Sequence, residues 1–121
     1  MHVAFPAESD NLDGVLESSF GRATGFAMVD SETLETKWIT NTQNRQAAQG
    51  AGIQSAQHVV NAGADAVIVV HCGPKAFRVL TEGEITVYST EKGTTLRCLI
   101  ECLNAGDLEP VDGANVEGHW V

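Results

Sequence analysis

The fold and the candidate site both depend on the stretch Val67-Ile68-Val69-Val70-His71-Cys72-Gly73-Pro74-Lys75-Ala76-Phe77. Its four consecutive β-branched residues are typical of a strand that is buried on both faces, in the middle of a parallel sheet. The Gly-Pro pair that follows favours a helix start, because proline is well tolerated at the first helical position. The His-Cys pair lies between them, at the carboxyl end of the strand, where α/β sheets usually bind ligands. The stretch therefore predicts a strand, a ligand-binding loop and a helix.

Length and charge restrict the number of domains and the class of ligand. A chain of 121 residues with 43% hydrophobic residues predicts one globular domain. The formal net charge of −9 argues against a nucleic-acid partner or an anionic membrane surface, since phosphate contacts need clustered Lys and Arg. No apolar run approaches the length of a membrane span. Three cysteines without a signal peptide predict a reduced, cytoplasmic protein.

Alternating and apolar patterns around the central stretch predict the other elements. Strands are predicted at 3–5, 26–29, 34–40, 66–70 and 85–88, with Pro6 closing the first and an antiparallel hairpin formed by the second and third. Helices are predicted at 46–62, 74–81 and 91–104. Gly50 and Gly52 are unfavourable inside a helix, so a start of the first helix near Ala51 is the alternative. Cys98 and Cys102, four residues apart, could chelate a metal, but the apolar stripe beside them on the last helix predicts that both lie in the core.

These elements predict a three-layer α/β domain over residues 1–104, with a mixed sheet of about five strands and a leading β-hairpin. Residues 105–121 are acidic and contain glycine, which predicts a flexible C-terminal tail.

The helix start after the central strand is a candidate anion site. Backbone N–H groups beginning at Gly73-Pro74, together with the charge of Lys75, attract a negative ligand. His71 and Cys72 are soft metal ligands, and a thiolate in this field is expected to have a lowered pKa. The predicted ligand is therefore an anion that contains a soft metal. A buried structural thiol and an ordinary loop histidine remain the alternatives for these two residues.

Two other function classes stay open from the residues alone. A Mg²⁺-dependent phosphatase or nuclease would use carboxylates at strand ends, for which Asp30 and Asp65 are the candidates. The predicted strands at 3–5 and 66–70 carry no carboxylate, which counts against this class. A regulatory module is the third hypothesis, in which the acidic tail, residues 105–121, docks on a basic partner protein.

Four motifs, in order along nearly the whole chain, resemble a known family. They are Phe20-Gly21-Arg22-Ala23, then Gly50-Ala51-Gly52-Ile53, then Gly73-Pro74-Lys75-Ala76-Phe77-Arg78-Val79-Leu80, and finally Val116-Glu117-Gly118-His119-Trp120. The chain is similar in these motifs to the dinitrogenase iron–molybdenum cofactor biosynthesis proteins, a family that includes NifX-like and NafY-like cofactor carriers and the molybdenum–copper orange protein. The sequence departs from the family after the first motif, where it has Thr24-Gly25 in place of Pro and an aromatic residue.

The resemblance implies a ribonuclease-H-like fold and a protein that is not an enzyme. It implies non-covalent binding, carriage or assembly of an anionic molybdenum-containing metal–sulfur cluster, of the Mo–Cu sulfide or Fe–Mo type, with donor or recipient proteins of the cluster as partners. The expected binding residues lie in three loops and are Phe20, Gly21, Arg22, Ala23, Gly50, Gly52, Ile53, His71, Cys72, Gly73, Pro74 and Lys75. His71 and Cys72 are additions of this chain and not part of the family pattern, and their chemistry alone makes them the expected metal ligands.

Overall fold

A computed structural model describes residues 1–43, 46 and 50–111, which form a mixed sheet with helices on both faces. The five strands are β1 (His2–Ala7), β2 (Gly25–Asp30), β3 (Thr36–Thr40), β4 (Ala66–Val69) and β5 (Thr86–Ser89). Their order across the sheet is β3-β2-β1-β4-β5. β2 pairs antiparallel with β1 and β3, whereas β4 pairs parallel with β1 and β5. The predicted mixed five-stranded sheet is confirmed, and the ribonuclease-H-like label stays a prediction.

Three helices complete the layers: α1 (Ala51–Asn61), α2 (Pro74–Glu82) and α3 (Leu96–Asn104). One core lies between the sheet and α1 with α2, and contains Val67 and Val69 of the central strand. A second core lies between the sheet and α3, and contains Ile68. The side chains of β4 thus alternate between two apolar cores, which explains its unbroken run of aliphatic residues. None of the described helices is long and apolar enough to cross a membrane.

β1 is longer than predicted. It continues through Pro6, which pairs with Phe26 of β2, to Ala7. Proline is tolerated here because its carbonyl still accepts a hydrogen bond, from the Glu17 N–H at 2.9 Å, while the strand needs no N–H at that position.

The predicted start of the first helix at residue 46 is wrong, and the alternative near Ala51 is confirmed. Gly50 has an extended backbone (φ −75°, ψ 176°) and caps the helix, while Gln46 lies in a turn. The glycines therefore lie at the helix end, where they cost little, and not in its interior.

The predicted start of the last helix at residue 91 is also wrong, because α3 begins at Leu96. Gly93 has φ +103°, a left-handed conformation that interrupts any helix before it. Thr95 then caps α3, its hydroxyl accepting a hydrogen bond from the Cys98 N–H at 3.2 Å.

The two cysteines of α3 are not core residues, contrary to the prediction. Leu96, Leu99 and Ile100 form the buried stripe of the helix. Cys98 is exposed and Cys102 is half-buried. The apolar residues at 96, 99 and 100 set this orientation, since residues three and four apart share a helix face and the two cysteines fall outside that face.

The part of the predicted tail that is described lies partly against the sheet. The Val111 N–H donates to the Val87 carbonyl at 2.8 Å, and Pro110 bridges to Tyr88. The remainder of the tail, with the fourth motif at 116–120, falls outside the described residues.

Candidate functional site

The three described motifs meet at one edge of the sheet. β1, β3 and β4 all end at this edge, and β2, which is antiparallel to β1 and β3, begins there. The segments that continue from these strand ends form the walls of a pocket. We call it the three-loop pocket; its walls are residues 18–22, residues 50–53 at the start of α1, and residues 71–76 at the start of α2.

The first wall is held to the central loop by its backbone. The Phe20 N–H donates to the His71 carbonyl at 3.2 Å, and Ser19 forms a parallel bridge with His71. The Phe20 ring is buried and contacts the ring of Phe26, with 5.2 Å between centroids. Phe20 therefore anchors the wall in the core and also forms part of the pocket lining.

Gly21 brings the first wall into direct backbone contact with α1. A Cβ at this position would lie 3.0 Å from the Gly52 nitrogen and 3.1 Å from the Gly52 Cα. Those distances are shorter than a side-chain carbon normally allows, and both neighbours are backbone atoms that cannot rotate away. A side chain at Gly21 would therefore push the two loops apart by a few tenths of an ångström.

A buried polar cluster fixes the same junction. The Ser55 hydroxyl lies 3.0 Å from the Gly21 carbonyl and 2.9 Å from the Asn41 amide nitrogen. The Gln43 amide donates to the Gly21 carbonyl at 2.9 Å and to the Ala51 carbonyl at 3.1 Å. We call Asn41, Gln43 and Ser55 the polar clamp. Because Ser55 and Asn41 are buried, their hydrogen bonds set a defined distance between the walls.

Both helices that face the pocket have a glycine as N-cap. Gly50 and Gly73 have extended backbones at negative φ and no side-chain cap. A Cβ on either residue would meet no atom within 4 Å. The first helical backbone bonds are donated by Gln54 to Gly50 and by Phe77 to Gly73, so the earlier N–H groups of each helix have no partner within it. Two helix N-termini thus present donors toward open space.

The charges of the pocket differ in sign from those of the whole chain. Arg22 lines the larger cavity, of about 540 Å³, and Lys75 lines an adjoining cavity of about 330 Å³. Both side chains are exposed, and neither forms an ion pair with a described residue. The described lining of the two cavities also contains His71 and contains no aspartate or glutamate. The pocket is therefore a local positive site on a chain of net charge −9.

The predicted activation of Cys72 is wrong. Burial raises the pKa of its thiol from 9.0 to about 12, whereas the helix field was expected to lower it. Cys72 is 2% exposed and packs in the core beneath the pocket, where loss of hydration disfavours the thiolate. His71, its neighbour, is exposed, so the two side chains do point to opposite sides as an extended chain requires.

The structure brings together almost all of the residues expected at the site. Phe20, Gly21, Arg22, His71, Cys72 and Gly73 line the larger cavity with Gly52, and Gly50, Ile53, Pro74 and Lys75 line the smaller one. Ala23 is the exception. It is buried, and its carbonyl accepts a hydrogen bond from Asn41 at 2.9 Å, so it supports the wall from behind.

Sequence reasoning missed four lining residues, Ser18, Ser19, Ala51 and Ala76, and the polar clamp. Ala51 and Ala76 lie inside the quoted motifs, and Ser18 and Ser19 directly precede the first motif, so all four could have been included from their positions in the sequence. The signal for the clamp was the polar run after the third strand, but its partner Ser55 lies in the next helix, and no sequence pattern links the two. The departure at Thr24-Gly25 has a packing reason: the Trp38 ring lies against Gly25, where a Cβ would collide with it.

The carboxylates considered for a phosphatase or nuclease lie at the opposite edge of the sheet. His2 begins β1 there, and its two ring nitrogens lie 3.8 Å from Asp30 and 3.9 Å from Asp65. Asp65 also accepts a hydrogen bond from the His2 N–H at 2.8 Å. Hydrogen bonds from the N–H groups of Glu32 and Thr33 lower the pKa of Asp30. In the part of the chain that the structure describes, no three His, Cys, Asp or Glu side chains converge as a metal site.

Known proteins are similar to this chain in sequence and in architecture. Residues 1–106 match the family described as dinitrogenase iron-molybdenum cofactor. An uncharacterized protein of Methanocaldococcus jannaschii is 31% identical over 101 residues, which are 82% of each chain. The apo form of the orange protein from Desulfovibrio gigas is 33% identical, with a TM-score of 0.85 and 93% of both chains covered. A Thermotoga protein of the DUF35 family is 28% identical, with a TM-score of 0.73 and 90% of this chain and 91% of that one covered. The chain therefore belongs to the dinitrogenase iron-molybdenum cofactor family.

Proposed function

We propose that the three-loop pocket binds a preformed, anionic, molybdenum-containing metal–sulfur cluster without a covalent bond, and that the protein carries this cluster or holds it during assembly. The cluster is cargo and is not a resident cofactor, so the protein acts as a carrier and not as an enzyme. Its partners are the proteins that donate the cluster and receive it. The observation that carries the proposal is the pair of glycine-capped helix N-termini that open into one positively charged pocket.

Backbone donors suit an anion that has several exposed sulfur atoms. The first N–H groups of a helix point along its axis and carry the positive end of the helix dipole. At Gly50 and Gly73 the missing side chain lets a ligand approach these groups closely. Sulfide and oxide ligands at the surface of a cluster can accept such hydrogen bonds while the metal keeps its own coordination shell.

The charged side chains add attraction at the rim. Arg22 presents a planar group with five donors, and Lys75 adds a compact charge on the opposite wall. Because both are exposed, they can move to follow the outline of the cargo. Charge-assisted hydrogen bonds of this kind are about twice as strong as neutral ones.

The dimensions of the pocket suit a ligand of the size of a cofactor. The two cavities share Gly52, Gly73 and Ala76, so they form one continuous surface. The larger one, about 540 Å³, lies within the range of about 300–1,000 Å³ that is typical of sites for small molecules and cofactors.

Ligation of a metal by His71 or Cys72 is a separate part of the proposal. The exposed His71 ring is available to a metal at the surface of the cargo. Cys72 would have to lose its proton to the metal, and burial makes that loss unfavourable. Electrostatic and backbone contacts therefore supply most of the affinity.

The test is anaerobic incubation with tetrathiomolybdate and Cu(I), and in parallel with an iron–molybdenum cofactor precursor, followed by gel filtration. We expect a coloured complex of one cluster per chain that elutes with the protein in at least one of the two experiments. If neither mixture gives a stoichiometric complex that survives gel filtration, the proposal fails. Mg²⁺-dependent phosphatase or nuclease turnover that is lost on Asp30→Asn or Asp65→Asn would support the enzyme alternative instead.

A further inference from the structure

The surface of α3 carries a feature that the three-loop pocket does not use. Cys98 and Cys102 are four residues apart, so their side chains lie on one face of the helix. Cys98 is exposed and Cys102 is half-buried. α3 packs on the face of the sheet opposite α1 and α2, and the pocket is built from the N-termini of those two helices. The pair is therefore separate from the pocket.

The backbone holds the two cysteines in place. The Cys98 N–H is bound by the Thr95 cap at 3.2 Å, and the Cys102 carbonyl accepts a hydrogen bond from the Asp107 N–H at 2.9 Å. The buried stripe of Leu96, Leu99 and Ile100 fixes the rotation of the helix. The backbone positions of both cysteines are therefore defined, and a ligand that joins the two thiols requires only rotation of their side chains.

The surroundings of the pair are negative. Glu101 precedes Cys102 on α3, and Asp107 lies just after the helix, where its N–H donates to the Cys102 carbonyl at 2.9 Å. These carboxylates attract a cation.

We propose that Cys98 and Cys102 form a surface dithiol site for one Cu(I) ion, with both sulfurs as ligands. Soft thiolates select Cu(I) over hard cations, and two ligands suit the low coordination number that this ion accepts. Structural Zn²⁺ and iron–sulfur clusters draw on about four protein ligands. Binding converts two thiols into two thiolates around one Cu⁺ and releases two protons, so the complex carries one net negative charge.

Helix geometry favours a bridging ion over a direct disulfide. Cβ atoms four residues apart on a helix are about 5–6 Å from each other. A disulfide needs about 3.5–4.5 Å between the same atoms. An ion between the sulfurs spans the longer distance without distorting α3.

The experiment is an anaerobic titration of the full chain with Cu(I) in competition with the chromogenic chelator bathocuproine disulfonate. We expect one equivalent of Cu(I) to be withdrawn from the chelator. Cys98→Ser/Cys102→Ser, which retains Cys72, should bind at least 100-fold more weakly. These two positions are not core residues, and unchanged thermal unfolding of the variant would show that its fold is intact.

A matched control keeps the number of thiols and changes their spacing. Arg97→Cys/Cys98→Ser places the two surface thiols five residues apart, off a common helix face, and should lose the tight equivalent. X-ray absorption of the wild-type complex should show two sulfur neighbours around copper. Tight binding by either variant, or three or more sulfur neighbours from copper shared between chains, would overturn the proposal.

The outcome is independent of the pocket. Cys98→Ser/Cys102→Ser should retain the cluster in gel filtration as the wild type does, and His71→Ala should bind Cu(I) at the dithiol as the wild type does, because His71 is the exposed soft ligand of the pocket. Loss of Cu(I) binding in His71→Ala would show that the copper lies in the pocket, and would contradict a separate site.

Discussion

Within the three-loop pocket, charge and burial belong to different residues. Arg22 and Lys75 are charged and exposed, whereas Cys72 is neutral and buried. Electrostatic attraction of an anion to the pocket must come from the exposed cations. The buried thiol acts first as a core residue, in contact with the same apolar cluster as Phe20 and Phe77.

The buried thiol makes a prediction for alkaline stability. The folded pKa of Cys72, about 12, lies above the unfolded value near 9, so the protonated thiol stabilises the fold fully below about pH 9. This contribution is lost as the pH rises from about 9 to 12, at up to roughly 1.4 kcal/mol per unit. We expect the free energy of unfolding of the wild type to fall faster over this range than that of Cys72→Ala. Urea unfolding at several pH values measures both slopes, and equal slopes would contradict the buried thiol.

The exposed cation of the first wall should contribute directly to cargo affinity. We expect Arg22→Ala to weaken retention of tetrathiomolybdate about 5- to 20-fold, or about 1–2 kcal/mol, without lowering thermal stability. Arg78→Ala is the matched control, because Arg78 is exposed on α2 outside the pocket lining and its loss changes the net charge equally. Equal weakening by both variants would mean that only total charge matters. Equilibrium dialysis under anaerobic conditions gives both constants.

Single residues were predicted from the sequence where one local rule determines their role. Gly73-Pro74 favours a helix start because proline is well tolerated at the first helical position, and the structure has the start of α2 there. The pKa of Cys72 depends instead on what covers the thiol, which the sequence near residue 72 does not contain. Its burial comes from distant segments such as Phe20 and Ala56, so the helix field was overestimated and desolvation was missed.

At the scale of elements, the N-caps of the three helices are of two kinds. The N-cap of α3 is Thr95, whose side chain accepts a hydrogen bond from a backbone N–H. The N-caps of α1 and α2 are glycines, which provide no side-chain cap. A Ser, Asp or Asn cap would stabilise these two helices. With glycine caps, the two helix ends that face the pocket are therefore less stable than they could be.

A capping side chain at α2 should therefore raise stability and lower affinity together. We expect Gly73→Asp to gain roughly 0.5–1 kcal/mol, since the carboxylate caps the N–H groups and complements the helix dipole. The same carboxylate takes the donors and repels an anion, so cargo retention should fall more than tenfold. Gly73→Asn, a neutral cap, should show a smaller loss. Thermal unfolding and gel filtration test both effects, and full retention by Gly73→Asp would exclude the start of α2 from the site.

The polar clamp should affect cargo retention, because it sets the distance between two walls of the pocket. Ser55→Ala removes the hydroxyl that joins Gly21 to Asn41 and leaves buried polar groups without it, at a cost of about 1–3 kcal/mol. We expect weaker cargo retention even at temperatures where the variant is folded. Ser31→Ala is the control, because Ser31 is also buried but lies beside Met1 at the other edge of the sheet. If both variants retain cargo equally, the clamp serves stability alone.

Element boundaries could be predicted from the sequence only where a single residue determines them. Pro74 determines the start of α2, whereas α1 and α3 each begin about five residues after their predicted starts. The left-handed Gly93 and the cap at Thr95 decide the start of α3, and both depend on how residues 90–95 connect β5 to the helix. Apolar spacing indicates which face a helix buries, and cannot show where its first turn forms.

At the scale of the molecule, the three-loop pocket differs in charge from its surroundings. The pocket carries Arg22 and Lys75, the cavity beside it carries Glu8 and Glu17, and the other edge of the sheet carries Asp30 and Asp65 around His2. The order of strands predicts where the pocket lies, because ligands bind beyond the carboxyl ends of parallel strands. In a chain of net negative charge, the three-loop pocket is thus a local region of positive potential.

This charge distribution should give an unusual salt dependence for cargo capture. The net charge of −9 repels an anion over long distances, whereas the pocket attracts it only at close range. Raising the ionic strength from about 0.01 to 0.1 M shortens the screening length from about 30 to 10 Å, which removes the distant repulsion first. We expect the association rate of tetrathiomolybdate to rise over this range and to fall only at higher salt. Stopped-flow absorbance in an inert salt measures the rate. A steady decrease from the lowest salt would show that attraction by the pocket already dominates at long range, and Arg22→Ala should then remove most of that decrease.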